Sequence, residues 1–374
     1  MENIFDHYNN NSHTDLTYSH PKSLRIFDGV MHLTAGILGV LGNTMVFIAF
    51  VLSKRLQTKT NIFVVNLAFA DFLTSILMPI FTWSLIADLD QEVDQWIDTM
   101  CAFAIGIAQS TVGCSLLTLS FIAMNRLVLI TQTKETYARI YQNRNVALFI
   151  LIAWLYPITS AMIPLFFNIG ELGYDEVAHI CGTKTSHPQS YLYDVLVVGL
   201  LIPVPMVIII YSYARIFYFI SVHNKQLRSN QAEVRSISGM NQQTDGPANS
   251  NGLNNRRLKK QVDISKNLFY VIVTYLICLT PHLLAEIFDA KSIVITQTKV
   301  LVVSNSFVNP ILYGVKHPHF RLVFACILRC RWQDVPQPSW ILKATSNLHS
   351  KTQGRSDGKL EAKSSGKDGP TTTL

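Results

Sequence analysis

The chain has 374 residues, 49% of them apolar and only 15% charged, with a net charge of +7. Soluble domains of this total size need more charge than that to cover their surface. The apolar residues are also clustered, in long runs separated by polar stretches, which points to a chain that lies largely in lipid.

Residues 1–26 read as a polar segment outside the membrane. Asn10-Asn11-Ser12 is a glycosylation sequon with Asn10 as the acceptor. The segment lacks the basic and apolar pattern of a signal peptide, so the first span is expected to act as signal anchor. Seven apolar runs follow: Phe27–Leu52, Ile62–Ala87, Met100–Ile130, Val146–Phe167, Tyr191–Ile220, Leu268–Phe288 and Ile293–Val315. Each has the length a helix needs to cross a hydrocarbon core, about 20 residues. In lipid every backbone polar group must be paired within its segment. The expected fold is therefore all-α, a seven-transmembrane helix bundle over 27–315. Pro79, Pro157, Pro164, Pro203, Pro205, Pro281 and Pro310 interrupt the spans. Such prolines kink helices, and a hinged bundle suits a switch or a carrier better than an inert anchor.

Lys and Arg set the orientation. With the N-terminus outside, the cytoplasmic side holds three of the 31 in its first loop, four in the second, nine in the third and ten in the tail. The outer loop Asp88–Asp98 has five acids and no base. The positive charge thus belongs to loops beside anionic lipid and not to nucleic-acid binding. The third cytoplasmic loop, 221–262, is rich in Asn, Gln, Ser and Gly and is expected to be flexible. It ends in the basic run Arg256–Lys260, which fits a topology signal and contact with an acidic cytoplasmic partner alike. An amphipathic juxtamembrane helix is expected over 316–330, then a disordered tail over 331–374 with many hydroxyls for phosphorylation. Thr372-Thr373-Leu374 at its end fits a peptide that adds a strand to a PDZ domain.

The six cysteines sort by compartment. Cys101 and Cys181 face an oxidising space and can form a disulfide. Cys114 and Cys278 lie inside spans as small apolar residues. Cys326 and Cys330 are juxtamembrane candidates for palmitoylation. Within the spans, the polar set Asn43, Asp71, Ser115, Asn305, Ser306 and Asn309 fits either an oxygen cage for a cation such as Na⁺ or a satisfied hydrogen-bond network.

Several motifs, one per span and in order, resemble the rhodopsin-like family of G protein-coupled receptors. They are Gly42-Asn43, Asn66–Asp71, Asn125-Arg126-Leu127, Trp154, Pro205 with Tyr213, Cys278-Leu279-Thr280-Pro281 and Asn309-Pro310-Ile311-Leu312-Tyr313. The resemblance covers about Phe27 to Cys330. It implies a plasma-membrane receptor that binds an extracellular ligand in its outer half and activates a heterotrimeric G protein, with arrestin as a further partner. It implies a disulfide between Cys101 and Cys181. It gives Arg126, Tyr213, Pro281, Asn309, Pro310 and Tyr313 to the activation switch, and Asp71, Ser115, Asn305 and Asn309 to Na⁺ in the inactive state. Tyr137–Tyr141 look like the corresponding stretch of melatonin-receptor-related and moody-type receptors.

The departures from the family are specific. Asn125 replaces the acid that pairs with Arg126, and Gln261 stands where another acid often completes that lock, with Asp263 close by. Leu279 replaces the usual Trp of the pocket floor, and Tyr275 the common Phe one turn deeper. Ala108 stands where amine receptors carry Asp, which argues against a monoamine. Val303 stands where opsins carry the retinal-bearing Lys, so no Schiff base can form there. Candidate pocket residues are Gln109, Val112, Tyr191, His282 and Glu286. His282 and Glu286 lie one turn apart and suit either a polar ligand group or, slightly better, an internal hydrogen bond.

Other functions fit less well. A transporter or channel would show internal repeats or a series of pore-lining charges. An enzyme would need a Ser/His/Asp or metal constellation, and no workable spacing occurs. A junction or scaffold protein acting through its tail remains the third alternative.

Overall fold

The structure is a computed structural model that describes residues 21–87, 94–238, 249–288 and 292–344. Each of the seven runs is helical. The helices are Lys22–Leu52, Lys59–Ile86, Gln95–Thr131, Asn143–Ala161, Ser190–Leu201 continued by Pro203–Ser238, Asn249–Ile287 and Ser292–Lys316. Among the described residues, six spans are long and apolar enough to cross a membrane. The seventh helix matches them in length but carries Gln297, Lys299, Asn305, Ser306 and Asn309. Of these, Asn305, Ser306 and Asn309 are buried within the bundle, where lipid does not reach them. The chain is a multi-pass membrane protein.

Local signals place the helix ends. Thr58 caps span two, its hydroxyl accepting from Asn61 N at 3.3 Å. Pro79, Pro157, Pro281 and Pro310 lie inside helices. Pro203 opens the second half of span five after a break at Ile202. Pro164 has no N–H to continue a helix. Span four accordingly stops at Ala161, short of the expected Phe167, and Ile163–Phe167 forms a separate turn.

Span three is the central post, packed against spans two, four, five and six. Span one lies against spans two and seven. The approach of one and seven is close enough to require glycine. A Cβ added to Gly42 would sit 2.8 Å from Pro310 Cβ. The inner half of the bundle is one continuous apolar core that includes Val46, Leu67, Leu119, Ile122, Ile216 and Tyr313.

Two regions depart from the sequence-based expectation. Span five stays helical to Ser238 and span six begins at Asn249, well inside the flexible loop expected over 221–262. Good helix formers such as Gln226, Gln231, Ala232 and Glu233 carry the helix past the apolar run. The juxtamembrane helix Pro318–Leu328 is present as expected, capped by His317. Beyond it, Arg331–Lys343 packs back against the first inner loop, although disorder was expected from residue 331. Val335, Pro336, Pro338 and Leu342 give this stretch enough apolar surface to settle. Asn10, the acids Asp88, Asp90 and Glu92, and the terminal Thr372–Leu374 lie outside the described residues.

Candidate functional site

The segment between spans four and five folds over one end of the bundle, here called the outer end. Strands β1 (Leu172–Asp175) and β2 (Ile180–Thr183) pair antiparallel, with Tyr174 opposite Cys181. Cys181 is joined to Cys101 of span three, with an S–S distance of 2.03 Å. A second tie is ionic. Lys184 lies 2.8 Å from Asp98 and 2.7 Å from Glu171, and Asp98 also accepts from Tyr174 N at 3.0 Å. Partial burial opposes the Lys184 charge, but bonds to the two carboxylates outweigh it and raise its pKa. The hairpin itself was not foreseen. Its strands of four residues carry no period strong enough to read.

Beneath the hairpin is a cavity of about 390 Å³. Most of its wall is apolar, with a few convergent polar groups, which is the usual make-up of a small-molecule site. Of the candidate pocket residues, Gln109, Val112, His282 and Glu286 line it. Tyr191 does not; its side chain is exposed, and its hydroxyl donates to Ile287 O at 3.3 Å. Gln109 is held by Tyr193, whose hydroxyl donates to Oε1 at 2.6 Å. His282 Nε2 stands 3.6 Å from Glu286 Oε1, and its Nδ1 is 3.2 Å from Thr298 Oγ1. The internal pairing and the cavity position thus occur together. Leu279 lies in the floor, and both Ala108 and Val303 line the wall. Val303 offers an isopropyl group where an imine would need an amine. Lys299, one turn away from Val303, also lines the cavity. A lysine this near the end of a span carries no distinctive signal in the sequence.

A polar network crosses the middle of the bundle. Asp71 accepts from Asn309 Nδ2 at 2.7 Å and from Ser115 Oγ at 3.2 Å. Asn43 donates to Gly39 O and Ser306 O, both at 2.9 Å, joining spans one and seven. The side-chain oxygens of Asn43, Asn305 and Asn309 are buried and accept no hydrogen bond. Three such acceptors fit a cation or ordered water better than a closed network of protein donors. Among the described residues no cluster of three His, Cys, Asp or Glu is placed to hold a metal. A cation here would be held by one carboxylate and neutral oxygens, a set suited to Na⁺.

Asn66 and Trp154 are a separate structural link. Trp154 Nε1 donates to Asn66 Oδ1 at 3.0 Å, and Asn66 Nδ2 to Thr118 Oγ1 at 2.8 Å, which ties spans two, three and four.

At the inner end Arg126 is buried, as are Tyr213 and Tyr313, and both tyrosine hydroxyls lack a hydrogen-bond partner among the described residues. Tyr313 stacks on Phe320 of the juxtamembrane helix at 5.6 Å. Asn125 turns away from the arginine. Its Oδ1 accepts from Thr60 at 2.6 Å, and its Nδ2 donates to Tyr137 Oη at 3.2 Å. Span six is tied to span three by Tyr275, whose hydroxyl donates to Val112 O at 3.0 Å. The side chains of Gln261 and Asp263 lie outside the described residues.

Comparison with known proteins agrees with this architecture. Residues 42–313 match the model of the 7 transmembrane receptor (rhodopsin family), and the chain belongs to that family. Its relatives include Melanopsin-A of Danio rerio, 28% identical over 81% of this chain and 49% of that protein. Human melanopsin is 27% identical over 88% of this chain and 69% of its own length. The Gq-coupled rhodopsin of Mizuhopecten yessoensis is 30% identical over 78% and 57%. The chain thus spans about half the length of the zebrafish relative. Squid rhodopsin shares the fold, with a TM-score of 0.67 at 20% identity, covering 83% of this chain and 88% of the other. The likeness to melatonin-receptor-related proteins expected from Tyr137–Tyr141 is not shown by these matches.

Proposed function

We propose that this chain is a plasma-membrane receptor that binds a small extracellular ligand beneath the hairpin and activates a heterotrimeric G protein at its inner face. The observation that carries the reading is the outer cavity, whose wall residue Val112 is bonded to Tyr275 of the helix that must move. A ligand that prefers one position of span six shifts the equilibrium between two states by its difference in affinity for them. The second site is the inner cluster of Arg126, Tyr213 and Tyr313, about four turns along span three from Val112 to Arg126. Coupling between the two sites is allostery in the thermodynamic sense. Asn43, Asp71, Ser115, Asn305 and Asn309 would hold Na⁺ in the resting state. That a ligand rather than a bound chromophore drives the switch is supported by Val303, and that the ligand is not a monoamine by Ala108.

The remaining sites follow the same orientation. The N-terminus lies outside with Asn10 open to glycosylation. Cys326 and Cys330 accept palmitate, and the tail meets arrestin and a PDZ domain through Thr372–Leu374. A screen of ligands against a panel of G protein activation sensors in cells tests the central claim. At least one ligand should activate a sensor in cells bearing the receptor and not in control cells, and Leu279→Trp, which fills the floor, should weaken it. Substrate flux or membrane current without activation of any sensor would refute the reading.

A further inference from the structure

The tail makes an unexpected return to the first inner loop. Cys330 takes a left-handed backbone, φ 53°, which turns the chain back after the juxtamembrane helix. Trp332–Asp334 forms one tight turn, and the next residues lie beside the loop, with a second left-handed residue at Gln337, φ 50°. Ser53 pairs antiparallel with Pro338. Lys54 N donates to Gln337 O at 2.9 Å, Ser339 N to Leu52 O at 2.8 Å, and Ser53 Oγ to Pro336 O at 2.7 Å. Val335 is buried in the same apolar cluster as Leu56. Pro336 and Pro338 have no N–H to leave unpaired, and the left-handed backbone of Gln337 between them turns its carbonyl to Lys54. The stretch is thus a strap laid across the inner ends of spans one and two.

Its other side does not look like a surface made for water. Trp340 is 77% exposed, Leu328 71% and Trp332 41%. Exposed bases stand among them: Lys54, Arg55, Arg329 and Arg331. Asp334 is the one acid between Arg329 and Ser339. The surface continues the lipid-facing side chains of the spans it crosses, since Val51 just before the loop and Val315 just before the juxtamembrane helix are both exposed. Tryptophan favours the level of lipid headgroups, where its ring is apolar and its N–H is wet. Bases at that level are drawn to anionic lipid. A scattered exposed side chain would need no explanation, but two tryptophans on the strap and four bases on it or on the loop and helix end beside it have a common complement.

We propose that the strap Arg331–Lys343 and the adjoining helix dock on the anionic phospholipid headgroups of the leaflet beside them, and that this lipid holds the strap against Ser53–Leu56. The proposal stands whether or not the chain couples to a G protein.

The test uses the full-length protein in nanodiscs of phosphatidylcholine alone or mixed with phosphatidylserine, both with acyl chains brominated to quench nearby tryptophan. Trp332→Phe and Trp340→Phe variants identify the emission due to each ring. That emission should be quenched in anionic discs and much less in neutral ones. The Lys54 and Ser339 amides should exchange more slowly in the anionic discs. The double variant Arg329→Glu/Arg331→Glu should remove both differences, raising exchange at Lys54 roughly tenfold or more. Unquenched Trp340 in anionic discs would overturn the proposal, as would equal quenching in both lipids. So would protection of Lys54 that appears only when cytosolic protein is added, which would assign the surface to a protein partner.

Discussion

Asn125→Asp restores the charge that the family usually places before Arg126, and its outcome follows from the geometry of the site. Asn125 is fully buried and uses both halves of its amide, accepting from Thr60 at 2.6 Å and donating to Tyr137 at 3.2 Å. A carboxylate keeps the Thr60 bond. It turns the Tyr137 hydroxyl round to donate, so neither partner is stranded. Hydrogen bonds to a charged acceptor contribute about 1.5–3 kcal/mol, more than their neutral counterparts. The new charge also attracts the guanidinium next to it in the chain, in a setting where solvent screens little. Desolvating the carboxylate takes back several kcal/mol in either state, so the difference between states is what counts. If Arg126 stays close only in the resting state, the net preference for that state is about 1–3 kcal/mol, or roughly 5- to 150-fold. Ligand-free G protein activation at matched surface expression should fall accordingly. Asn125→Ala serves as the control, because it removes both bonds and adds no charge. Ligand-free activity of Asn125→Asp equal to or above that of the unmodified chain would refute the reasoning.

Replacing Cys181 by Ser opens a link spanning 80 residues; detergent-purified protein should lose about 2–5 kcal/mol of stability by thermal unfolding, and loss below that would mean the hairpin is held by Lys184 instead. Gly42→Ala places a Cβ 2.8 Å from Pro310 Cβ and should cost about 1–3 kcal/mol by overpacking. Gly106→Ala, with nothing within 4 Å of the added atom, should be close to neutral in the same melt. His317 caps the juxtamembrane helix by accepting from Phe320 N at 3.4 Å. Its burial, then the nearby Arg126 and His319 charges, lower its pKa to about 3. A base depressed in this way leaves stability intact above its unfolded pKa of about 6.5 and loses it progressively as pH falls below that toward the folded value. The helix should therefore detach on acidification, followed by a spin label on Arg321. His317→Asn should keep the cap and abolish the pH dependence.

How much of this was legible in the sequence depends on what each signal measures. Hydropathy counts apolar residues along the chain, so it located all seven helices, including Ser292–Lys316, which is not among the six long and apolar enough to cross a membrane. It is blind to helix that continues into water. Span five passed its expected edge by many residues because Gln and Glu favour helix without being apolar, and Ala favours it without a run of apolar neighbours. Nor does hydropathy give rotational phase in a helix surrounded by lipid on one side and apolar core on the other. Gln109, Val112, His282 and Glu286 line the cavity, but Tyr191, second residue of span five, faces outward. The strap Arg331–Lys343 was hidden for a different reason. Its partners are backbone groups nearly 300 residues earlier, and a pairing that uses main-chain atoms leaves no mark on composition.

The same limit applies to the two departures in span six. As isolated substitutions, Leu279 and Tyr275 suggest only that a large ring is missing from the floor of the pocket. The structure shows them as one rearrangement. Leu279 leaves the floor apolar and short, while Tyr275, one turn deeper, carries a hydroxyl that reaches the Val112 carbonyl at 3.0 Å. Val112 in turn lines the cavity with its side chain. The backbone of span three is therefore both wall and anchor, and under the proposed mechanism an outward movement of span six would break a half-buried hydrogen bond rather than flip a ring. Breaking it strands a buried phenol and a carbonyl unless water or a new partner arrives, which costs about 1–3 kcal/mol. That is the same size as the coupling energies by which one site usually influences another. Under that mechanism a single hydrogen bond beneath the cavity is sufficient to set the threshold that a ligand would have to overcome.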